Sequence, residues 1–121
     1  EGQVHGGVIQ GLAQALFEEA VYDTDGNLRN ASLAEYLVPA ASDVPSLTLG
    51  HTITPSPTNQ LGVKGIGEAG TIGAAPAVIN AIVDALSGLG VDDVRMPASP
   101  QTVWATIQAA TPKTPSNGDS K

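Results

Sequence analysis

A chain of 121 residues is one domain's worth of sequence or a piece of a larger domain. Its net charge of −7 comes from dispersed acids set against five basic residues. No basic stripe is available to neutralise phosphates, which argues against a nucleic-acid partner. Cysteine is absent, which excludes a disulfide framework, cysteine-based zinc and iron–sulfur ligation within the chain and is compatible with a cytoplasmic location.

Hydrophobic residues make up 41% of the sequence, yet aromatics are only 3%. A chain dominated by Ala, Gly and Val packs through close backbone approach rather than through large side chains, and a self-contained core of this size usually has more bulk to bury. Charged residues are sparse at 14%, as expected of a surface largely covered by other protein. The chain opens on Glu1 without an initiator Met and has no basic leader, so the expectation is a segment of a longer polypeptide. No apolar run approaches the roughly 18 residues of a membrane span, and no membrane partner is expected.

The pattern predicts a first helix over Gly6–Ala20, with Val8, Leu12, Ala15 and Leu16 on one face and Ile9, Ala13, Phe17 and Ala20 beside it. No charge falls between Gly6 and Phe17, so most sides should be covered. Gly7 and Gly11 lie four apart, where small residues admit a second backbone, and the contact is expected to be tighter at Gly7. Glu18 and Glu19 end this helix at its unfavourable end for acids and should face water or a basic group.

Asp25-Gly26 signals a turn across which Ala20–Thr24 and Asn27–Ala31 could pair. Leu33, Tyr36 and Leu37 have helical spacing, but Pro39 leaves that piece undecided. Leu47–Thr54 alternates with period two and is rich in branched residues, so a strand is expected there, ended by Pro55 and Pro57.

A second helix is predicted over Ala74–Leu86, with Pro76 in its first turn and Gly88 as its cap. Val78, Ile79, Ile82, Val83 and Leu86 form its buried stripe. Val91–Met96 reads as a short strand. Ser99 caps a third helix with Pro100 at its first position and a buried face of Val103, Trp104 and Ile107. Residues 111–121 have almost nothing to bury and are expected to be a disordered tail, which leaves 1–110 as the folded part.

Between the expected strand and second helix runs Gly62-Val63-Lys64-Gly65-Ile66-Gly67-Glu68-Ala69-Gly70, one carboxylate among four glycines. Glycine lets main chain come close to a ligand. The segment formally matches G-x-G-x-x-G, but its lead-in from Pro57 to Lys64 is no buried strand, and neither Asp84 nor Asp92 stands where a ribose-binding acid belongs. His5 and His51 have no acid or cysteine at ligand spacing, so no metal ligand set is read from the chain.

Glu1-Gly2-Gln3-Val4-His5-Gly6-Gly7-Val8-Ile9-Gln10-Gly11, followed by an Ala/Leu helix, closely resembles a segment in the large subunit of the molybdenum hydroxylases. These are the xanthine dehydrogenase, aldehyde oxidase and carbon monoxide dehydrogenase family. Gly62–Gly70 with Thr71-Ile72-Gly73 resembles that family's last active-site segment, and Met96-Pro97 with Val103-Trp104 its C-terminal end. The resemblance runs in order over about residues 1–110. It implies an α+β fold, the C-terminal part of a molybdopterin-binding domain with about three helices and a few short strands.

The same resemblance implies that Glu68 is a general base, taking a proton from a metal-bound hydroxyl that attacks an electron-poor carbon of an aldehyde, an N-heterocycle or carbon monoxide. Gly2, Gln3 and Val4 would lie along the pterin, with Gln3 as hydrogen-bonding residue, and Gly67, Ala69 and Gly70 would offer backbone near the cofactor. That cofactor is molybdenum-molybdopterin, in the cytosine dinucleotide form. The implied partners are the remainder of the large subunit, iron–sulfur and flavin subunits or domains, and a small-molecule substrate. Glu68-Ala69-Gly70 is closer to aldehyde-oxidising members than to carbon monoxide oxidisers, where a Ser tends to follow the Glu. Since the remaining active-site segments lie upstream in the family, the chain alone is expected to hold no cofactor and to be inactive. A non-catalytic module without cofactor and a nucleotide binder built on Gly65–Gly70 are the alternatives.

Overall fold

A computed structural model describes residues 1–110, so the expectation for the tail lies outside the described residues. Three α-helices are present: α1 (Gly2–Leu16), α2 (Ala69–Leu86) and α3 (Pro100–Ala109). Single 3-10 turns cover Ala41–Asp43 and Ser87–Leu89. Long extended and turning segments join α1 to α2.

α1 begins and ends four residues earlier than the sequence suggested. Its first turn closes on the Glu1 carbonyl, which accepts from the amides of Val4 and His5 at 3.0 Å each. It stops where the amides of Phe17 and Glu18 both turn back to the Ala13 carbonyl, at 2.8 and 2.9 Å. α2 starts at Ala69 rather than Ala74, so Pro76 sits in the helix interior and not in the first turn. An interior proline forfeits a backbone bond and typically costs about 3 kcal/mol. Contacts with α1 along the first two turns of α2 offset that cost. The cap is Gly90, at φ +86, rather than Gly88. A 3-10 turn inserted after Leu86 moves the left-handed position two residues on.

The core lies at the far end of this helix pair from Gly2. Val91, Val94 and Ala98 are buried there against Leu16, Ile79, Ile82, Val83, Leu86, Val103 and Ala110. The Ala98 amide donates to the Ala15 carbonyl at 2.7 Å, pinning the 91–98 segment across the end of α1. Residues 91–96 are therefore coil instead of the expected strand, with Val91 and Val94 buried and the residues between and after them exposed. α3 starts as read: the Ser99 hydroxyl accepts from the Thr102 amide at 3.2 Å, and Pro100 takes the first position. Trp104 is 65% exposed, against expectation, because α3 turns Val103 and Ala110 to the core and leaves Trp104 on another side.

No strand forms among the described residues, which corrects the expectation of a few short strands. The Asp25-Gly26 turn does bring its flanks together, but only as one antiparallel bridge, Tyr22 with Leu28. Leu47–Thr54 is not in helix or turn and pairs with no segment among the described residues. Glu19 meets Arg95 at 2.8 Å, and Glu18 accepts from the Tyr36 hydroxyl at 2.9 Å, so these acids face one basic and one neutral donor.

By length and composition Ala69–Leu89 reaches what a membrane span requires, with mean hydropathy 1.6, which departs from the sequence expectation. The apolar stretch that matters begins five residues before the predicted helix start. Only one face of α2 is covered, the one that meets α1 and the core.

Candidate functional site

Two segments 64 residues apart meet at the start of α1 and α2 through glycine. A Cβ on Gly70 would stand 2.6 Å from the Val8 nitrogen and 2.9 Å from both the Gly7 carbonyl carbon and the Val4 oxygen. On the facing helix, a Cβ on Gly11 would meet the Thr71 oxygen at 2.8 Å and the Ala74 Cβ at 2.9 Å. At Gly7 the nearest atoms, Gly70 Cα and Thr71 N, are at 3.2 Å. The tighter contact is thus at Gly11, the reverse of the sequence expectation. The rising separation from Gln3 does not loosen the crossing, because Ala74 comes in beside Gly11. The Thr71 hydroxyl donates to the Gly7 carbonyl at 3.0 Å and fixes the register.

This crossing gathers the residues picked from sequence. The Gln3 side-chain oxygen lies 4.0 Å from the place of a Cβ on Gly67, and the Val4 carbonyl abuts Gly70. Glu68 and Ala69 follow Gly67 directly, and Gly2 precedes Gln3 as the first residue of α1. Gly2, Gln3, Gly67, Glu68 and Ala69 are exposed, Val4 is half-buried, and Gly70 is buried. Gly70 therefore serves the helix contact, and its exposed neighbours form the open surface.

Glu68 is the residue before α2. Its carbonyl accepts from the Ile72 amide at 3.0 Å, while its side chain makes no capping bond and no bond to any other described residue. A carboxylate at the positive end of a helix, with no partner among the described residues, is open to a hydrogen bond from outside them. Beside it, a Cβ at Gly65 would meet nothing within 4 Å, and one at Gly67 only the Gln3 oxygen. The backbone there faces open space, with the Gln3 amide oxygen beside Gly67. That donor set suits a large polar cofactor, with hydrogen bonding from Gln3 and from main chain.

Thr71 entered the sequence reading only within Thr71-Ile72-Gly73, and its bond to Gly7 was not read from it. The signal was present: a hydroxyl-bearing, β-branched residue next to Gly70 in a poor helix-forming run has to be held by something outside its own helix.

The molybdopterin cofactor-binding domain family matches residues 1–45. The carbon monoxide dehydrogenase large chain of Hydrogenophaga pseudoflava is 37% identical over 108 residues, covering 89% of this chain and 13% of its own length. The nicotine 6-hydroxylase large subunit of Paenarthrobacter nicotinovorans is 45% identical over 103 residues, covering 85% of this chain and likewise 13% of its own length. Among solved structures, the Cu,Mo-CO dehydrogenase in its carbon monoxide reduced state superposes with a TM-score of 0.84 at 36% identity, over 88% of this chain and 14% of that one. The chain thus spans about an eighth of the length of the curated relatives it matches. By sequence and by backbone alike, it belongs to the molybdenum hydroxylase family, the xanthine dehydrogenase, aldehyde oxidase and carbon monoxide dehydrogenase group, as a segment of the molybdenum-binding large subunit.

Proposed function

We propose that this chain supplies one wall of the molybdenum-cofactor site of a hydroxylating oxidoreductase, with Glu68 as its general base. The observation that carries the reading is the meeting of Gln3 with the Gly67-Glu68 loop, where the carboxylate has no partner among the described residues. When bound, the molybdenum cofactor would supply the two-electron acceptor and the oxygen nucleophile, which this chain's side chains cannot. Gln3 would hydrogen-bond the pterin through its amide, and Gly2 and Val4 would lie along it. The exposed main chain at Gly67 and Ala69 would let the cofactor approach closely, and Gly70 would hold that main chain in place from behind. Glu68 would take the proton at a carboxylate oxygen and release it to solvent.

The relatives' names support N-heterocycles such as nicotine, or carbon monoxide, as the substrate class, and aldehydes join them from the resemblance alone. The cytosine dinucleotide form of the cofactor, iron–sulfur and flavin partners, and the remainder of the large subunit complete the proposal. With those parts missing, the 121 residues purified alone should carry no stoichiometric molybdenum and oxidise no aldehyde.

Glu68→Gln in the complete enzyme tests the base. Shape and one hydrogen bond are kept, so molybdenum content should stay at the wild-type level while reduction of the enzyme by substrate slows by about 10²–10⁴-fold. Near-normal turnover with full loading would remove Glu68 from the mechanism.

A further inference from the structure

Asp25 is the one aspartate among the described residues that a glycine follows. Both residues are exposed, at the tip of the hairpin that the Tyr22–Leu28 bridge closes. The Asp25 carboxyl makes no hydrogen bond to any described residue, and a Cβ on Gly26 would meet nothing within 4 Å. The Gly26 nitrogen can reach the Asp25 Cγ through a five-membered ring. With no side chain on Gly26, nothing shields that nitrogen.

The other aspartates lack this combination. Asp23 and Asp43 have their carboxyls engaged by the Asn27 and Ala40 amides, and the branched residues Thr24 and Val44 follow them. Asp84 lies within α2, where the helical ladder fixes the next amide. Residues with side chains also follow Asp92 and Asp93.

We propose that Asp25-Gly26 is a modification site, where the backbone isomerises to isoaspartate without an enzyme, and that Asp23 is its brake. The Gly26 nitrogen attacks the Asp25 Cγ. The N–Cγ bond forms, the Cγ–OH bond breaks, and the hydroxyl leaves as water with the amide proton. A second water then opens the cyclic imide. Addition at the Asp25 main-chain carbonyl breaks its bond to the Gly26 nitrogen, so the chain runs through Cγ and the α-carboxyl is free. Mass and charge are unchanged, and no oxidant or cofactor takes part. Asp23 opposes the first step by holding the turn. Its carboxylate accepts from the Asp25 amide at 3.0 Å and the Asn27 amide at 2.9 Å, and its carbonyl from the Gly26 amide at 3.1 Å. The added backbone methylene breaks that set and pulls Tyr22 away from Leu28. The proposal is independent of the role given to Glu68.

The complete large subunit, aged at neutral pH beside a synthetic peptide of residues 19–31, tests it. Isoaspartate is read by carboxyl methylation with an isoaspartyl methyltransferase and located by peptide mapping. Asp25 should convert in the folded subunit more slowly than in the peptide. Asp23→Ala should raise the folded rate about tenfold by releasing the turn. Asp25→Glu keeps the charge but requires a larger, slower-closing ring, and should abolish the signal at this position. A subunit without isoaspartate at Asp25 once the peptide has fully converted would overturn the site. An unchanged rate in the Asp23→Ala variant would overturn the brake.

Discussion

The amide nitrogen of Val8 lies 2.6 Å from the point a Cβ would take on Gly70, so α1 and α2 cross there with no room for a side chain. Both contacting atoms belong to main chain, and neither helix can yield without breaking its own hydrogen bonds. The site stands on that contact.

The glycine series gives the first prediction. Helix propensity alone would favour Gly→Ala by up to about 1 kcal/mol, whereas overpacking typically costs about 1–3 kcal/mol. Gly70→Ala should be the most damaging, Gly11→Ala next, and Gly7→Ala the mildest, following contacts of 2.6, 2.8 and 3.2 Å. Thermal unfolding and molybdenum retention of the complete subunit carrying each variant check the order. Three variants more heat-stable than wild type would mean that the crossing is not close.

Thr71→Val keeps the shape of the side chain and removes the hydroxyl that donates to the Gly7 carbonyl. A loss of about 0.5–1.5 kcal/mol is expected, with Thr71→Ser recovering most of it. Equal midpoints for Val and Ser variants in denaturant unfolding would show that the bond adds nothing.

Ser99→Ala removes the hydroxyl that accepts from the Thr102 amide at the start of α3. About 1 kcal/mol of stability should be lost, while Ser99→Asp should retain it. Unfolding of the two variants side by side is sufficient to tell.

Acid should loosen the 21–30 hairpin before it reaches the core. Hydrogen bonds from the backbone amide and the side-chain amide of Asn27, with smaller help from the Asp25 amide, hold the Asp23 carboxyl below the usual carboxylate range. A depressed folded pKa gives stability that is present above the unfolded pKa, near 4, and lost as pH falls through the folded one. The Tyr36 phenol is pushed up instead, by its hydrogen bond to Glu18, so its contribution is present below the unfolded pKa of about 10 and lost at higher pH. Titration of hairpin amide shifts by NMR should follow Asp23, and Asp23→Asn should abolish the acid-side transition.

Part of this was legible from residue order. Ser99-Pro100 marked the start of α3 because capping chemistry is local and complete within four residues. The Gly62–Gly70 loop and Gln3 could be picked out as partners only by resemblance, since nothing local joins positions 64 residues apart. The start of α2 was misplaced because Gly70, Thr71 and Gly73 are poor helix formers, and they are helical here through contact with α1. Trp104 was misjudged for a different reason: periodicity finds an apolar face but does not say that this chain supplies its cover. The strand expected at Leu47–Thr54 failed in the same way, since alternation describes side chains and a ladder needs a neighbour.

Because Gly7, Gly11, Gly70 and the Thr71 hydroxyl fix one helix on the other, the spacing between Gln3 and Gly67 does not depend on the length of chain that joins them. The connection from Phe17 to Gly65 can gain or lose residues at the 30–40 turns without moving the carboxylate relative to the amide. Such a design frees the intervening loops to change what they contact, while the end that carries Gln3 and Glu68 keeps one geometry.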